Sequence, residues 1–410
     1  MIKYFKYQDE NGESKMNYNF SDKIAGMKPS AIREIFKSLA DPSIISFAAG
    51  NPSPLSFPTE AIEKIACEIL AEQAVAALQY SVTEGYGPLR EDVKARLRDK
   101  FGIDAAGDET IITAGGQQGI ELACKVLCNE GDAVICEEPT FIGALNAFRS
   151  NGAKPIGVPL TPDGIDPEAL DRALGEHPEA KMIYLIPTFH NPAGITSTLE
   201  NRKAVLKVAR AHGVPIFEDN PYGELRFSGE DVDTIKKLDG DEGGVIYCST
   251  FSKILSAGMR VGYVTAPAPI ISKMVIAKQV EDVHTNIFFQ ILCHRFIDEY
   301  DLDLHIAGIR KLYRDKCGLM LRSLEENLAP DVPFTRPDGG LFIWCTLPDR
   351  FDGAQFVKDA LKHGVAVVPG ATFCCDEGAR SNSFRLNYST PSDEDIVRGV
   401  RILGELTKEK

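Results

Sequence analysis

Short runs of β-branched and apolar residues recur through the first two-thirds of the chain and predict strands. They are ETIIT (109–113), AVICEEP (133–139), KPIGVPL (154–160), KMIYLIP (181–187), VPIFED (214–219), GVIYCST (244–250) and VGYVTAP (261–267). Between them lie stretches with helical periodicity, such as QGIELACKVLCNEG (118–131) and LENRKAVLKVARAHG (199–213). Gly131 and Gly213 stand where helix C-caps are expected. Strands alternating with helices predict an α/β fold, a mostly parallel seven-stranded sheet covered by helices. From about residue 305 the pattern changes to a long helix (IRKLYRDKCGLMLRSLEENL) and two strands, GLFIWCTL and SFRLNYS. This predicts a smaller α+β domain over 305–410, beside a large domain over 61–304. Residues 1–60 carry few strand signals and are expected to wrap over the main body.

The totals narrow the class. The chain has 410 residues, 44% of them hydrophobic, enough for a large core and two domains. A net charge of −14 argues against a nucleic-acid surface. No apolar run has the length of a membrane span, and the charged N-terminus shows no signal-peptide core. Ten cysteines without an export signal predict reduced thiols in the cytoplasm. Cys124 and Cys128 are spaced to share a helix face, but no C-x-x-C or H-E-x-x-H motif accompanies them, so no metal site is expected. Cys374–Cys375 is too close for an ordinary disulfide and reads as structural.

Ligands of open parallel sheets bind at the carboxyl ends of the strands. Here each such end delivers a polar or glycine-rich cluster: AGGQQG, PTFHNPAG, DNPYG and STFSK. Gly115–Gly116–Gln117 opens a helix whose first N–H groups favour a phosphate. Thr250 and Ser252 add hydroxyls, and Arg260 adds a fixed, charged fork. Lys253 lies among apolar and small residues, a setting that depresses an amine's pKa and makes it a nucleophile toward an aldehyde. Pyridoxal 5′-phosphate carries both an aldehyde and a phosphate, and its ring nitrogen needs a carboxylate. Asp219 closes a strand and suits that role; Tyr222 and Asn191 suit the phenolic oxygen; Phe141 offers a face to stack on the ring. Taken singly, Asp219 reads as a turn carboxylate, Asn191 as a turn former, Tyr80 and Phe141 as core aromatics. His284 reads as a satisfied core histidine rather than a base. Arg385, in an apolar strand, needs an anion, either an internal carboxylate or a ligand.

STFSKILSAGMRVGY (249–263) resembles the cofactor-lysine motif of the class I/II aminotransferases of PLP fold type I. The resemblance runs from SAIREIFK (30–37) to SFRLNYS (383–389) and is greatest to the branch with 2-aminoadipate and kynurenine aminotransferases. It implies Lys253 as the lysine joined to the cofactor and Asp219 as partner of the ring nitrogen. Asn191 and Tyr222 would meet the phenolic oxygen, and Gly116, Gln117, Thr250, Ser252 and Arg260 the phosphate. Arg385 would fork the substrate carboxylate, with Gly50 in the covering loop. Tyr80, in LQYSVTEGYGPLRE (78–91), would reach the phosphate of a neighbouring subunit, implying a homodimer with shared sites. Arg33 would face the substrate side chain or anchor its own helix. The chain departs from the family at Gly115, often a hydroxyl residue, at Thr250, usually serine, and at His190, often glutamine. The implied activity is ping-pong transfer of an amino group from an α-amino acid to a 2-oxo acid, 2-oxoglutarate being the expected acceptor. The alternatives are a β-lyase or decarboxylase of the same fold, or a PLP-binding regulator. The regulator is disfavoured because the stretch before residue 30 is too short for a winged helix. The amino donor is not readable.

Overall fold

Alternate residues along the central strands pack on opposite faces. Val134, Cys136, Met182, Tyr184, Phe217 and Ile246 share one apolar cluster, while Ala133, Ile135, Ile183, Ile216 and Val245 belong to another. A sheet apolar on both faces requires helices on both, and the computed structural model has them. It describes residues 18–25, 27, 41 and 43–408.

The strands of the large sheet are β2 (Asp108–Thr113), β3 (Ala133–Glu138), β4 (Lys154–Thr161), β5 (Gly164–Ile165), β6 (Ala180–Leu185), β7 (Ile216–Asp219), β8 (Val245–Thr250) and β9 (Gly262–Pro267); β1 (Ile45–Ser46) lies outside it. Their order is β2-β9-β8-β7-β6-β3-β4-β5. Neighbours from β8 to β4 pair in parallel, and β9 is antiparallel to β2 and β8. The sheet thus has eight strands where the pattern predicts seven. The addition, β5, is two residues folded back on β4, too short to show periodicity.

The helix Leu199–His212 ends at Gly213 as expected, at φ 66°; at its start Thr198 accepts from the Asn201 N–H. The preceding example differs. The helix Gly116–Leu127 ends at Cys128, which turns extended, and Gly131 is not its C-cap. Gly131, at φ 92°, instead serves the turn into β3 and donates to Gly152 O.

The long helix spans Leu302–Asn327. Beyond it β10 (Phe342–Thr346), β12 (Val368–Pro369) and β13 (Ser383–Asn387) form a small antiparallel sheet in the order β10-β13-β12. The N-terminal segment crosses to this part of the molecule. β1 pairs in parallel with β11 (Val365–Ala366), Ser53 N–H bonds Tyr313 Oη at 3.0 Å, and Ser389 Oγ bonds Asn51 O at 2.6 Å. Gly50 is thereby held over the C-terminal ends of the large sheet. All ten cysteines are free thiols. Among the described residues no helix is long and apolar enough to cross a membrane.

Candidate active site

A cleft of about 450 Å³ opens at the carboxyl ends of β2, β3, β6, β7 and β8, with Gly50, Phe342 and Arg385 closing its other side. Sequence-distant residues meet there because the strands run the same way and end at one level.

Asp219 and Glu218 are consecutive buried acids at the end of β7, and alternation sends them to opposite faces. Glu218 accepts the N–H groups of Ile235 and Lys236, capping a short helix away from the cleft. Asp219 faces the cleft beside its register partner Cys248 and accepts a 2.6 Å bond from Tyr184 Oη. Burial pushes its pKa up to about 7; the Tyr184 bond opposes this and the charge of Glu137 adds to it.

β8 runs into a turn fastened by its own hydroxyls. Thr250 Oγ1 donates to Val261 O at 3.0 Å and accepts from Ser252 N–H at 3.1 Å. This turn directs half-buried Lys253 into the cleft, where Nζ donates to Gly50 O at 2.8 Å. Burial, then Arg385 and Arg260, lower its pKa to about 8.

The wall beside this turn is a glycine cradle. Gly115 adopts φ 78°, ψ 171°, and a Cβ there would stand 2.3 Å from Arg260 Nη2. A Cβ on Gly262 would meet the Gly115 backbone at 2.8 Å. Arg260 bonds Ala114 O at 3.0 Å and Ala257 O at 3.2 Å, itself at φ 54°, an uncommon backbone state for a bulky residue. Gly116 and Gln117 begin the helix whose N-terminus points into the cleft, and Gln117 Nε2 bonds Gly143 O at 2.9 Å.

Arg385 lies on β13, 2% exposed. Its Nη1 bonds Asn191 Oδ1 and its Nη2 bonds Ala48 O, both at 2.8 Å. The guanidinium sits over Phe342 at 4.1 Å and near Phe373 at 5.0 Å, and Nε has no partner. No carboxylate among the described residues pairs with it. Burial lowers its pKa to about 10. Tyr222 lies against Asn191, its pKa raised by burial, and Phe141 lines the opposite wall.

Tyr80, expected to serve a neighbouring subunit's site, is 81% exposed, outside this chain's own cleft and edge-on to His284. His284 is half-buried rather than in the core and bonds Thr285 O. Arg33 lies outside the described residues. Sequence reasoning missed Tyr184, Phe342 and Phe373. Only Tyr184 carried a signal, a polar tip close to the end of an otherwise apolar strand.

The cleft agrees with what related proteins hold. The family model for aminotransferase class I and II matches residues 42–403. An aromatic-amino-acid aminotransferase of Thermococcus litoralis is 40% identical over 395 residues, covering 95% of this chain and 94% of that one. The crystal structure of a kynurenine aminotransferase from Pyrococcus horikoshii, in complex with PMP, superposes with a TM-score of 0.91 at 41% identity, covering 95% of this chain and 97% of that one. An α-aminoadipate aminotransferase from Thermus thermophilus, complexed with N-(5′-phosphopyridoxyl)-L-leucine, gives 0.86 at 37% identity, covering 95% and 97%. With a lysine and a buried acid at the ends of a fold type I sheet and an arginine of the small sheet across the cleft, this chain belongs to the class I and II aminotransferases and is a pyridoxal-phosphate-dependent transaminase.

Proposed function

We propose that the cleft holds pyridoxal phosphate and an α-amino acid in one orientation, with each group assigned to a named side chain. The residues present fit the cofactor. The Gly115–Gly116–Gln117 cradle admits an anion where a side chain would collide with Arg260, and Thr250, Ser252 and Arg260 complete a phosphate site. Phe141 stacks on the ring. Asp219 takes the ring nitrogen; a cation there offsets the burial that otherwise drives the carboxyl's pKa to about 7. Asn191 and Tyr222 meet the phenolic oxygen. Arg385 takes the substrate carboxylate, the anion its buried guanidinium lacks among the described residues, and Gly50 covers it.

When bound, the cofactor supplies an electron-accepting ring that stabilises negative charge at the substrate's Cα. The protein's part is proton transfer and placement. Lys253 Nζ, with its pKa lowered to about 8, is a base matched to neutral pH. Placed in the cleft by its bond to Gly50 O, it would accept the substrate's Cα proton and hold it for return. Asp219 keeps the ring nitrogen protonated. Arg385 and Asn191 fix the carboxylate in both half-reactions, so donor and acceptor are both α-substituted acids used in ping-pong order.

The observation that carries this reading is the convergence of Lys253, Asp219 and Arg385 on one cleft. Replacing Lys253 with Ala should abolish turnover and the absorption of the lysine-bound cofactor; full turnover in that variant would overturn it. We further propose 2-oxoglutarate as acceptor. The apolar walls at Ile120, Ile186 and Phe342 favour an aromatic or long-chain donor, and a panel of amino acids read as glutamate formed tests both. A homodimer in the cytoplasm is the proposed working form. Tyr80, Leu78 and Val75 form an exposed apolar face for a second copy, and sedimentation measures it.

A further inference from the structure

His190 departs from the family pattern, and the cleft makes no direct use of it. It is 1% exposed. Its Nδ1 accepts the Ala193 N–H at 3.2 Å. A ring nitrogen that accepts carries no proton, so the imidazole is neutral and Nε2 bears the hydrogen. Nε2 lies 3.2 Å from Oε2 of Glu137, with both side chains closed to solvent. The approach is too bent for a full hydrogen bond, leaving an electrostatic contact that a small ring shift would tighten. The same Oε2 accepts the Ile186 N–H at 2.9 Å.

This one carboxylate oxygen therefore joins three segments. Glu137 is near the end of β3, Ile186 follows β6, and His190 immediately precedes Asn191. No arginine or lysine among the described residues pairs with Glu137, and a neutral imidazole does not cancel its charge. That charge acts on Asp219 and on Tyr184, the donor to Asp219. The other groups facing Asp219 are Tyr184 from β6, Cys248 from β8 and Tyr222 from the turn after β7, none of them a cation.

We propose that Glu137 and His190 are positioning residues: the imidazole and the Ile186 N–H hold the Glu137 carboxylate in place, and its charge, acting on Asp219, keeps the cofactor's ring nitrogen protonated. His190 also seats the loop that presents Asn191. The inference rests on the assignment of Asp219 to the ring nitrogen.

The test uses the holoenzyme reconstituted with ¹⁵N-labelled pyridoxal phosphate, with the ring nitrogen's chemical shift followed against pH. In Glu137→Gln, a near-isosteric change, the pH at which the nitrogen loses its proton falls by about one unit. The same variant loses about tenfold in kcat with little change in KM. His190→Leu behaves alike, because the Glu137 carboxylate loses the contact that holds it in place, and His190→Gln restores the parent titration by supplying an amide donor. An unchanged titration in Glu137→Gln, in a protein where Asp219→Asn strips the ring nitrogen of its proton, overturns the proposal. So does a His190→Gln titration no better than that of His190→Leu. Should Asp219→Asn itself leave the nitrogen protonated, the underlying assignment of Asp219 falls.

Discussion

Gly115→Ala is a single added methyl whose consequences the structure sets. The new Cβ would stand 2.3 Å from Arg260 Nη2 and 2.8 Å from Cζ, well inside contact distance, so the guanidinium must move. It then gives up its 3.0 Å bond to Ala114 O and its aim at the phosphate site. A charge-assisted hydrogen bond contributes about 1.5–3 kcal/mol. Its loss raises the dissociation constant for pyridoxal phosphate by about 10-fold to 150-fold. The backbone adds a separate cost, because φ 78°, ψ 171° is a region where alanine is strained by about 1–3 kcal/mol. A stiffer unfolded chain returns about 0.4–1 kcal/mol of that. The first effect is read by titrating apoenzyme with cofactor, the second by denaturant unfolding of the apoenzyme. Parental affinity in Gly115→Ala would refute the role given to the cradle and to Arg260.

Other consequences can be checked separately. Arg385→Lys keeps the charge but loses the fork and the stack on Phe342; KM for both amino acid and oxo acid should rise about 10-fold to 100-fold, with cofactor affinity unchanged in the same titration. Lys253 in the apoenzyme should react with pyridoxal at a rate rising through about pH 8, where its amine loses its proton. Removing the nearby cation with Arg385→Gln should move that midpoint upward. Asp219 has a raised pKa in the folded apoprotein, so its contribution to stability is present below the unfolded carboxyl pKa and is lost as pH rises through about 7. The Asp219→Asn apoprotein should therefore melt higher than the parent at about pH 7.5 while binding cofactor more weakly, as calorimetry and titration will read.

Much of the large sheet was legible because its signal is local. A strand buried on both faces must be a short apolar run, and a helix between strands must show its own period, so the principal strands of the large sheet could be placed to within a residue or two. The polar residues at strand ends announced the site for the same reason, since a parallel sheet gathers those ends on one edge. Two-residue β5 left no pattern to read, and Gly131 mimicked a cap because a glycine after a helical stretch serves a turn as readily as a helix end.

The order of chemistry along the chain, a glycine turn, a strand-end acid, a lysine and a late arginine, was determined by sequence alone and sufficed to name the family. What surrounds each group was decided by the tertiary structure, because those partners come from strands far apart in the chain. Only the fold could show Tyr184 bonded to Asp219 and Glu218 capping a helix on the other face. Only the fold could show Arg385 with neutral partners and two aromatic rings in place of a carboxylate. Protonation and ligand choice depend on burial and on charges a few ångströms away, and those distances exist only once the sheet has brought its strand ends together.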